Sequence, residues 1–572
     1  MNPDTLTAQS LLNCLVREVS LPEQQTWESD GHLIVRLARL DRLLRLGTRR
    51  RSGGPSPRLT GEAELHCDDA WRPVAWAELA RLIADELTLA TGTPNEEFAA
   101  QARASRTAVT AILEARKDNA AGDDSDPRIA RYLASEQSLV AGHRFHPAPK
   151  ARSGEPAGWL PFAPEAGARF PLRFLAVRDE AFETSGDTTA LDHIGAPAAP
   201  RGYRVLPAHP WQLRLLNKRL WLRQAFRDGA LIDLGEGPHA VVPTSSVRTV
   251  YDQTADVFCK FSLNVRITNC VRKNAWYELA GAVALTEILT PMTQDLAHRF
   301  PGTTVLGEPG YRTVALPDAE ATEGLSVIVR EGLKGHLAPG VTPLLAAALT
   351  EPSLDTDTDT DQHHSWPCTT PGAELFDQRD PDWLLDWWEA YVRQVAPPVL
   401  HALFGYGVVF EPHLQNTLVG VDSDGLPVQA ILRDLEGVKL IAPRHEETLA
   451  GLKPAVASAL TYDAERGWHR VAYCLFVNHL AEVAAAIADR HPRQDERFEA
   501  ALWQHARTLL VTFAREHDWP PQFRSVLTGV PLPAKANLRL RWARAADRAA
   551  DYLGVRNPLG DLPACPRPER AC

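Results

Sequence analysis

The stretch from Pro243 to Asn274 combines the apolar pattern of a strand with a high density of hydroxyl and cationic side chains. Its second half alternates, so one face of the predicted strand is apolar and the other polar. The apolar face consists of Phe261, Leu263, Val265 and Ile267, and the polar face of Lys260, Ser262, Asn264, Arg266 and Thr268. Cations and hydroxyls that converge in this way suit a polyanion, either a triphosphate or a polycarboxylate. The alternative for this stretch alone is a surface strand with a solvated basic face.

The size and charge of the chain exclude several classes of protein. At 572 residues it is too long for a single core, and two to four domains are expected. The net charge of −11 argues against nucleic-acid and anionic-membrane partners, so local basic clusters must bind any anion. We find neither a signal-peptide pattern nor an apolar run approaching the roughly 18 residues of a membrane span. The eight scattered cysteines form no CxxC pair, which predicts reduced thiols in a cytoplasmic protein.

The secondary-structure pattern divides the chain into three parts. We predict a mainly helical part at residues 1–140, a strand-rich part at 141–365, and a part at 366–572 in which helices surround one hairpin. The clearest helical patterns are at residues 95–118, 274–290, 381–395 and 497–517. The acidic, low-complexity stretch 351–364 cannot bury a core and is predicted to be an exposed linker.

A loop broken by proline and glycine begins the second part. The sequence AGHRFHPAPKARSG places His143, His146, Lys150 and Arg152 within residues 141–154. The HxxH pair lacks a third ligand at zinc spacing, so a zinc site is not expected. Four cationic or hydrogen-bonding side chains on an irregular loop favour recognition of a carboxylate or phosphate, with a solvated basic loop as the alternative.

A predicted hairpin in the third part gathers a second set of polar residues. The strands TLVGV and PVQAILRD are joined by a DSDG turn, which pairs Val421 with Pro427. This register brings together, at one end of the hairpin, Glu411, His413, Gln415, Asn416, Arg433 and Asp434. Asparagine and aspartate oxygens are ligands that Mg²⁺ takes while it also holds phosphates, as in kinase-like phosphotransferases. A turn-rich hairpin with polar capping residues is the alternative.

As a set, these motifs resemble the IucA/IucC family of NRPS-independent siderophore synthetases, over about residues 141–541. The motifs that carry the resemblance are GHRFHPAPKARSG, PAHPWQ, PTSSVRT, KFSLNVRITNCVRK, EPHLQN, ILRDLEG and LPAKANLRLRW. Two residues depart from the family's pattern. Arg144 stands where the family has proline, and Asn537 interrupts a run that is usually apolar after Lys535.

The resemblance implies an α+β fold of cupped shape with three parts. These are a helical thumb at 1–140, strand-rich fingers at 141–365 and a mixed palm at 366–572. Members of the family use ATP to join a carboxylic acid to an amine, hydroxylamine or alcohol. The carboxylate attacks the α-phosphorus to give an acyl-adenylate and pyrophosphate, and the nucleophile then displaces AMP. The residues PKARSG of the first loop and VRITNCVRKN of the strand most resemble those of the citrate-using branch of the family. Homodimers are usual in the family.

The resemblance also assigns roles to residues. ATP would be bound by Ser246, Arg248, Thr249, Lys260, Gln415 and Asp434, and magnesium held by Glu411, Asn416 and Asp434. The acid and the developing adenylate would be held by Thr268, Arg272, His413, Lys535 and one of His143 or His146. Arg272, His413 and Lys260 are the predicted catalytic residues, with His413 as candidate base for the nucleophile.

Two other functions remain open at this point. The hairpin motif alone also fits a small-molecule phosphotransferase, although Gln415 cannot take the proton that a kinase base would accept. The two departures also fit a protein that binds citrate or nucleotide without catalysis.

Overall fold

The structure, a computed structural model, describes residues 2–49, 54–118, 126–267, 270–352, 370–491, 496–545 and 551–560. Within these ranges helices and strands both occur along the whole chain, which confirms the predicted α+β class. Thr268, most of the acidic stretch 351–364, and Cys565 and Cys572 lie outside the described residues.

Residues 2–140 contain an antiparallel sheet as well as the predicted helices. The helices are α1 (Pro3–Leu15), α2 (Trp76–Thr91), α3 (Glu97–Asp118) and α4 (Pro127–Gln137). The strands are β1 (Thr26–Ser29), β2 (His32–Leu37), β3 (Arg42–Thr48), β4 (Leu59–Cys67) and β5 (Ala70–Pro73), which pair in this order.

This sheet corrects the prediction of a mainly helical first part. Its strands are rich in leucine and arginine, which favour helices in isolation. The tight turns decide the outcome, because Asp30 and Gly31 both adopt positive φ angles, of 50° and 78°. An Asp-Gly pair in this conformation is typical of a two-residue hairpin turn.

The second part is rich in strands, as predicted. Its strands are β6 (Phe170–Arg178), β7 (Phe182–Gly186), β8 (Tyr203–Ala208), β9 (Leu231–Pro243), β10 (Thr249–Asp252), β11 (Val257–Phe261), β12 (Leu263–Ile267), β13 (Cys270–Arg272), β14 (Thr303–Val305), β15 (Gly310–Val314), β16 (Val327–Glu331) and β17 (Thr342–Leu345). Its helices are α5 (Pro156–Trp159), α6 (Pro210–Leu216), α7 (Leu220–Arg227), α8 (Trp276–Arg299) and α9 (Ala319–Gly324). Eight of these strands form one antiparallel sheet in the order β7-β15-β16-β11-β10-β9-β6-β8.

The single strand predicted from Lys260 to Thr268 is two strands. β11 ends at Phe261 inside the eight-stranded sheet, and β12 begins at Leu263 and pairs with β13 instead. The alternative of a surface strand with a solvated basic face does not hold for Lys260 and Ser262, which are each 1% exposed. Lys260 can be buried because carboxylates from distant segments surround its ammonium group.

The third part packs helices around short strands. Its helices are α10 (Pro371–Phe376), α11 (Pro381–His401), α12 (Glu446–Ala450), α13 (Pro454–Leu460), α14 (Ala464–Ala472), α15 (Ala481–Arg490), α16 (Glu496–Glu516), α17 (Pro521–Leu527) and α18 (Asn537–Trp542). Its strands are β18 (Val408–Val409), β19 (Thr417–Val421), β20 (Pro427–Leu432), β21 (Lys439–Ile441), β22 (Thr461–Tyr462), β23 (Leu532–Lys535) and β24 (Tyr552–Val555). Three π-helical segments occur at Val16–Ser20, Ala402–Tyr406 and Tyr473–Leu480. Short 3₁₀ turns lie at Leu160–Phe162, Pro164–Ala166, Asp179–Ala181, Thr189–Asp192, Lys334–His336, Ala346–Leu349, Leu435–Gly437 and Ala442–Arg444.

Helix α11 forms the centre of the largest core. Its predicted apolar stripe is buried, and its two neighbouring tryptophans also donate hydrogen bonds. Trp387 Nε1 donates to the carbonyl of Gly425 at 2.9 Å, and Trp388 Nε1 donates to that of Leu502 at 2.6 Å. The helix therefore connects the hairpin to α16. A continuous helix at Ala464–Arg490 is long and apolar enough to cross a membrane, but 89% of its most apolar window is buried inside the protein.

The hairpin has the predicted register, with Val421 opposite Pro427 and Thr417 opposite Leu432. Strands from the second part complete its sheet, because β14 pairs with β20 and β17 pairs with β19. This four-stranded sheet therefore crosses the predicted boundary at residues 365–366, and the domain boundaries stay a prediction.

A buried ion pair joins α4 to the end of this hairpin. Arg433 Nη1 contacts Glu136 Oε1, and the exposed fractions of the two side chains are 3% and 0%. The other oxygen of Glu136 accepts a hydrogen bond from the backbone N–H of Ser245 at 2.9 Å. Although burial alone would raise the pKa of Glu136, Arg433 holds it below its usual value. One carboxylate thus fixes the position of two chain segments.

We expect Glu136→Gln to lower the free energy of unfolding by roughly 3–5 kcal/mol, because it leaves the Arg433 charge buried without its partner. Chemical denaturation at pH 7 measures this loss. Since the pKa of Glu136 is depressed, its contribution is present above the usual glutamate pKa and is lost as the pH falls through the depressed value. The control is Glu287→Gln, an exposed residue on α8. An equal, small effect of both variants would contradict the role of this ion pair.

Candidate active site

The loop between β9 and β10 holds a strained residue next to Arg248. Val247 has a φ angle of 69°, which is rare for a β-branched residue. The loop is closed by hydrogen bonds from the backbone N–H of Thr249 to Ser246 Oγ at 3.2 Å and from that of Thr244 to the Thr249 carbonyl at 2.8 Å. Strain of this kind persists where the surroundings enforce it, and it is found preferentially at functional sites. Here it accompanies an Arg248 that is only 5% exposed.

Cations and carboxylates from five separate segments meet at this loop. We call this group the ion cluster, and it consists of Arg248, Lys260, Glu308, Arg330, Asp434 and Glu436. Lys260 Nζ lies 2.5 Å from Asp434 Oδ1 and 3.0 Å from Glu436 Oε2. The cluster thus joins the eight-stranded sheet to the end of the hairpin, as the sequence predicted for Lys260 and Asp434.

The two arginines of the ion cluster complete its charge balance. Arg248 Nη2 contacts Glu436. Arg330 Nη2 lies 2.6 Å from Glu308 Oε1 and 3.2 Å from Asp434 Oδ1. Three cations therefore face three carboxylates. A bound polyanion would compete with these carboxylates for the cations, unless a divalent cation took over the carboxylates.

Backbone conformation and neighbouring hydrogen bonds position the side chains of the ion cluster. Asp434 has a φ angle of 78°, an uncommon value for an aspartate, and the 3₁₀ turn Leu435–Gly437 follows directly. Lys439 Nζ donates to the Glu436 carbonyl at 2.6 Å. Buried Asn274 accepts from Arg248 Nη1 at 2.6 Å and donates to the Lys260 carbonyl at 3.2 Å. These contacts fix the side chains in place before any ligand binds.

Burial and neighbouring charges determine the ionisation of the ion cluster. Burial opposes the charged form of Asp434, but Lys260, Arg330 and Arg248 hold its pKa far below the usual range. In the same way, despite burial, Arg248 and Lys260 lower the pKa of Glu436 to about 2. Both carboxylates are therefore ionised at neutral pH and available to cations.

His143 and His413 come from distant parts of the chain but interact with each other, and we call them the histidine pair. His143 is exposed, and its Nδ1 accepts a hydrogen bond from the backbone N–H of Phe145 at 3.0 Å. His146 is 4% exposed, and its Nδ1 accepts from the backbone N–H of Ala148 at 3.1 Å. Of the two histidines of the first loop, His143 is therefore the more accessible to a ligand.

The protein environment disfavours the charged form of both members of the histidine pair. Although part of His143 is accessible to solvent, the protein packed around the rest of it, together with the charges of His146, Arg17, Lys535 and His413, lowers its pKa to about 3. Desolvation also lowers the pKa of His413, opposed by Glu411 and Asp434. The charges that act on the pair thus include Lys535, on β23, and Asp434 of the ion cluster.

The predicted magnesium ligands lie around the same hairpin end. Asn416 is opposite Arg433, whose N–H donates to its carbonyl at 3.0 Å, so it is beside Asp434. Glu411 Oε1 lies 3.3 Å from Arg470 Nη1. Among the described residues, no group of three or more His, Cys, Asp or Glu side chains forms a ready metal site. The carboxylate and amide oxygens of Glu411, Asn416 and Asp434 are nevertheless hard donors of the type that magnesium takes.

The remaining predicted residues have definite places. Thr249 lies opposite Lys260 in the β10–β11 pair, and Arg272 lies opposite Leu263 in the β12–β13 pair. Lys535 is 8% exposed on β23. The Gln415 carbonyl accepts two hydrogen bonds from Arg433, at 3.1 and 2.8 Å. Thr268 remains a prediction, since it lies outside the described residues.

Four charged residues of this region were not predicted from the sequence. They are Glu308, Arg330, Glu436 and Arg470. A signal was present for Glu436, because it lies two residues after Asp434 in the ILRDLEG motif. Glu308 and Arg330 carried no such signal, because only the sheet geometry brings Glu308 to Lys260 and Arg330, and Arg330 to Asp434.

Both departures from the family pattern have structural explanations. Arg144 contacts Glu482 at 3.4 Å and donates to the carbonyl of Pro57 at 3.1 Å, so it joins the first loop to its neighbours. Asn537 is buried, and its Nδ2 donates to the Phe145 carbonyl at 2.9 Å. Neither residue disturbs the ion cluster or the histidine pair.

Two parts of the chain match models of known protein families. The model of the IucA / IucC family matches residues 131–351, the region that supplies His143, Arg248 and Lys260. These residues belong to the IucA/IucC family. A model described as a ferric iron reductase FhuF-like transporter matches residues 385–550.

Full-length similarity to curated and solved members of the IucA/IucC family supports this membership. The rhizobactin siderophore biosynthesis protein RhbC of Rhizobium meliloti is 29% identical over 601 residues, covering 98% of each chain. The L-2,3-diaminopropanoate–citrate ligase of Staphylococcus aureus is 29% identical over 457 residues, covering 75% of each chain. The structure of ATP-bound aerobactin synthetase IucA from Klebsiella pneumoniae matches with a TM-score of 0.81 and 25% identity, over 97% of this chain and 99% of that one.

Glu278, at the start of α8, allows a test of the charges around the ion cluster. Burial, followed by the charge of Glu436, raises the pKa of Glu278 to about 7, while its Oε2 accepts from the Ala275 N–H at 2.8 Å. A raised carboxyl pKa costs stability as the pH rises from the usual glutamate pKa toward the raised value. We therefore expect the melting temperature of the wild type to fall as the pH rises from about 5 to about 7. Glu278→Gln keeps the hydrogen-bond acceptor but cannot ionise, so this fall should be smaller in the variant.

Thermal unfolding followed across this pH range measures the effect, with Glu287→Gln on the exposed face of α8 as the control. Parallel curves for Glu278→Gln and the wild type would show that Glu278 is not the group that titrates near pH 7.

Proposed function

We propose that this protein is an ATP-dependent siderophore synthetase that activates citrate by adenylation and joins it to an amine, hydroxylamine or alcohol. The single observation that supports the proposal best is the 2.5 Å contact between Lys260 and Asp434. These residues belong to segments 174 positions apart. Their contact supports the proposal because it joins the segment proposed to bind phosphate to the hairpin end proposed to hold the metal.

The chemistry requires two anions to approach each other. A citrate carboxylate oxygen attacks the α-phosphorus of ATP, the bond to the bridging oxygen breaks, and pyrophosphate leaves. The cations Arg248 and Lys260 would screen this repulsion, and Ser246 and Thr249 would donate hydrogen bonds to the phosphates. Gln415 would lie against the nucleotide, as the family resemblance implies.

In the second step the nucleophile attacks the acyl carbon, and the bond to AMP breaks. The nucleophile gives up one proton, and His413 is the candidate acceptor, because its lowered pKa keeps it neutral and able to take a proton. Arg272 offers two parallel donors to a citrate carboxylate, with Thr268, Lys535 and His143 as further partners. We propose His143 rather than His146 as the histidine of the first loop that contacts the acid, because His146 is only 4% exposed.

Magnesium would be held by Glu411, Asn416 and Asp434 and would neutralise phosphate charge. The ion cluster is consistent with this role, because Lys260 and Arg330 compensate the charge of Asp434 in the absence of a metal. A divalent cation bound to Asp434 would release these side chains for the phosphates.

Citrate is the proposed acid because three characterised relatives are named for citrate chemistry. They are the diaminopropanoate–citrate ligase, the N(2)-citryl-N(6)-acetyl-N(6)-hydroxylysine synthase of Escherichia coli and the spermidine–citrate ligase of Bacillus anthracis. Their amines differ, so the nucleophile is proposed only as a class. We also propose a cytoplasmic location and, from family resemblance, a homodimer.

The decisive experiment is incubation with ATP, magnesium, citrate and a panel of amines, with hydroxylamine as a general trap. We expect pyrophosphate, AMP and a citryl amide or hydroxamate, identified by chromatography and mass spectrometry. ADP as the nucleotide product would instead identify a phosphotransferase. If no acid in a panel gives turnover while calorimetry detects citrate or nucleotide binding, the protein is a non-catalytic binder.

Asp434→Asn tests the link between metal and nucleotide. Removing one charge from the proposed magnesium site should lower kcat by roughly 100-fold or more, because phosphate charge is then poorly neutralised. Pyrophosphate release measures the loss, and the melting temperature verifies folding. Asp424→Asn in the exposed turn of the same hairpin is the matched control. Equal activities of the two variants would remove Asp434 from the mechanism.

Arg272→Ala tests the binding of the acid. Loss of a bidentate charged contact of about 1.5–3 kcal/mol should raise the KM for citrate roughly 10- to 100-fold. The KM for ATP should change little. Arg266→Ala, an exposed arginine on the neighbouring strand β12, is the control. A selective rise in the KM for ATP would instead assign Arg272 to the nucleotide.

A further inference from the structure

The continuous helix at Ala464–Arg490 contains an eight-residue π-helical segment, Tyr473–Leu480, in its middle. A π-helical turn holds more residues than an α-helical turn, and such segments occur frequently at functional sites. Within the described residues this segment lies behind both loops of the proposed active site. Two adjacent residues, Asn478 and His479, contact one loop each.

His479 fixes the loop that carries His413. Its Nδ1 lies 2.7 Å from the carbonyl oxygen of Pro412, and its Nε2 contacts the hydroxyl of Tyr391 on α11. A carbonyl only accepts, so Nδ1 carries the proton and Nε2 accepts from the tyrosine hydroxyl. His479 is 0% exposed, so this tautomer is enforced without water. The carbonyl belongs to the peptide bond that joins Pro412 to His413.

Asn478 contacts the loop that carries His143. The side-chain amide of Asn478 lies 2.9 Å from His143 Nε2. Since His143 Nδ1 accepts from the backbone N–H of Phe145, a neutral His143 carries its proton on Nε2. The amide must then turn its oxygen toward His143, which leaves its NH₂ group for the hydroxyl of Tyr473, with which Asn478 also interacts.

The same helix holds each loop at a second point. Arg470, in α14, lies 3.3 Å from Glu411, two residues before His413. Glu482, in α15, lies 3.4 Å from Arg144, the residue after His143. The second contact of each loop therefore comes from just outside the π-helical segment. For the loop with His413 it comes from the residues before the segment, and for the loop with His143 from the residues after it.

We propose that the π-helical segment Tyr473–Leu480 sets the geometry of the histidine pair, with Asn478 and His479 as positioning residues for His143 and His413. The inference deepens the proposed function of this site. Two residues that are adjacent in one rigid helix hold the two loops in a fixed relation, so that neither histidine moves independently of the other.

Two variants of His479 separate its two hydrogen bonds. In His479→Asn the amide NH₂ replaces Nδ1–H and can still donate to the Pro412 carbonyl. In His479→Gln the amide lies near the position of Nε2, so the bond to Tyr391 is kept and the bond to Pro412 is lost. We expect His479→Gln to lower kcat for pyrophosphate release by roughly 10- to 100-fold, with an unchanged KM for ATP. His479→Asn should retain clearly more activity.

Asn478→Asp tests the second contact without any substrate. Selective isotope labelling of histidine and NMR titration measure the pKa of His143, which is surrounded by His146, Arg17, Lys535 and His413. A carboxylate in place of the amide should raise this pKa by about one unit or more, because it favours the imidazolium form. Glu465→Gln, at an exposed position of α14, is the control and should leave the titration and the activity unchanged.

An unshifted His143 titration in Asn478→Asp would overturn the proposal. Equal losses of activity in His479→Asn and His479→Gln, with wild-type melting temperatures, would overturn it as well. The titration distinguishes this failure from failure of the proposed function, because it requires no turnover. A protein without ligase activity but with the shifted titration would keep the positioning role of Asn478 and lose only the proposed reaction.

Discussion

The contact between Lys260 and Asp434 is the interaction on which the rest of the site depends. A lysine that is 1% exposed is tolerated only where carboxylates compensate the loss of water. Asp434 and Glu436 come from the hairpin end, and Glu308 comes from the turn before β15. The eight-stranded sheet and the hairpin therefore cannot separate without leaving a buried charge, and this requirement fixes their relative position.

Much of this arrangement could be predicted from the sequence, where local chemistry determines local structure. The DSDG turn fixed the hairpin register, and with it the approach of Asn416 to Asp434. The helical spacing of Trp387, Trp388 and Tyr391 identified the core face of α11. The order of the motifs also identified the family, and the structure confirmed that Lys260 and Asp434 meet.

What could not be predicted depends on contacts between distant segments. The end of one strand and the start of the next at Ser262 have no sequence signal, because the apolar–polar alternation continues through this residue. Only the strand pairing in the structure shows that β11 and β12 have different partners. Arg330 and Glu308 resemble ordinary strand and loop residues until the fold brings them to Asp434. The choice between His143 and His146 depends on which imidazole the packing buries. The N-terminal sheet was missed because leucine and arginine favour helices, while two left-handed turn residues decided otherwise.

Charge balance also affects which kind of ligand the ion cluster can accept. Its three cations are already paired, so an isolated triphosphate would have to displace carboxylates that the protein holds in the ionised form. A divalent cation held by Glu411, Asn416 and Asp434, as proposed, would take over part of this carboxylate charge and leave Lys260 and Arg248 for the phosphates. Without it, Asp434 and Glu436, whose side chains are only 28% and 31% exposed, would lose their cationic partners to the phosphates. On the proposed function, the ion cluster would therefore favour a nucleotide that arrives together with its metal.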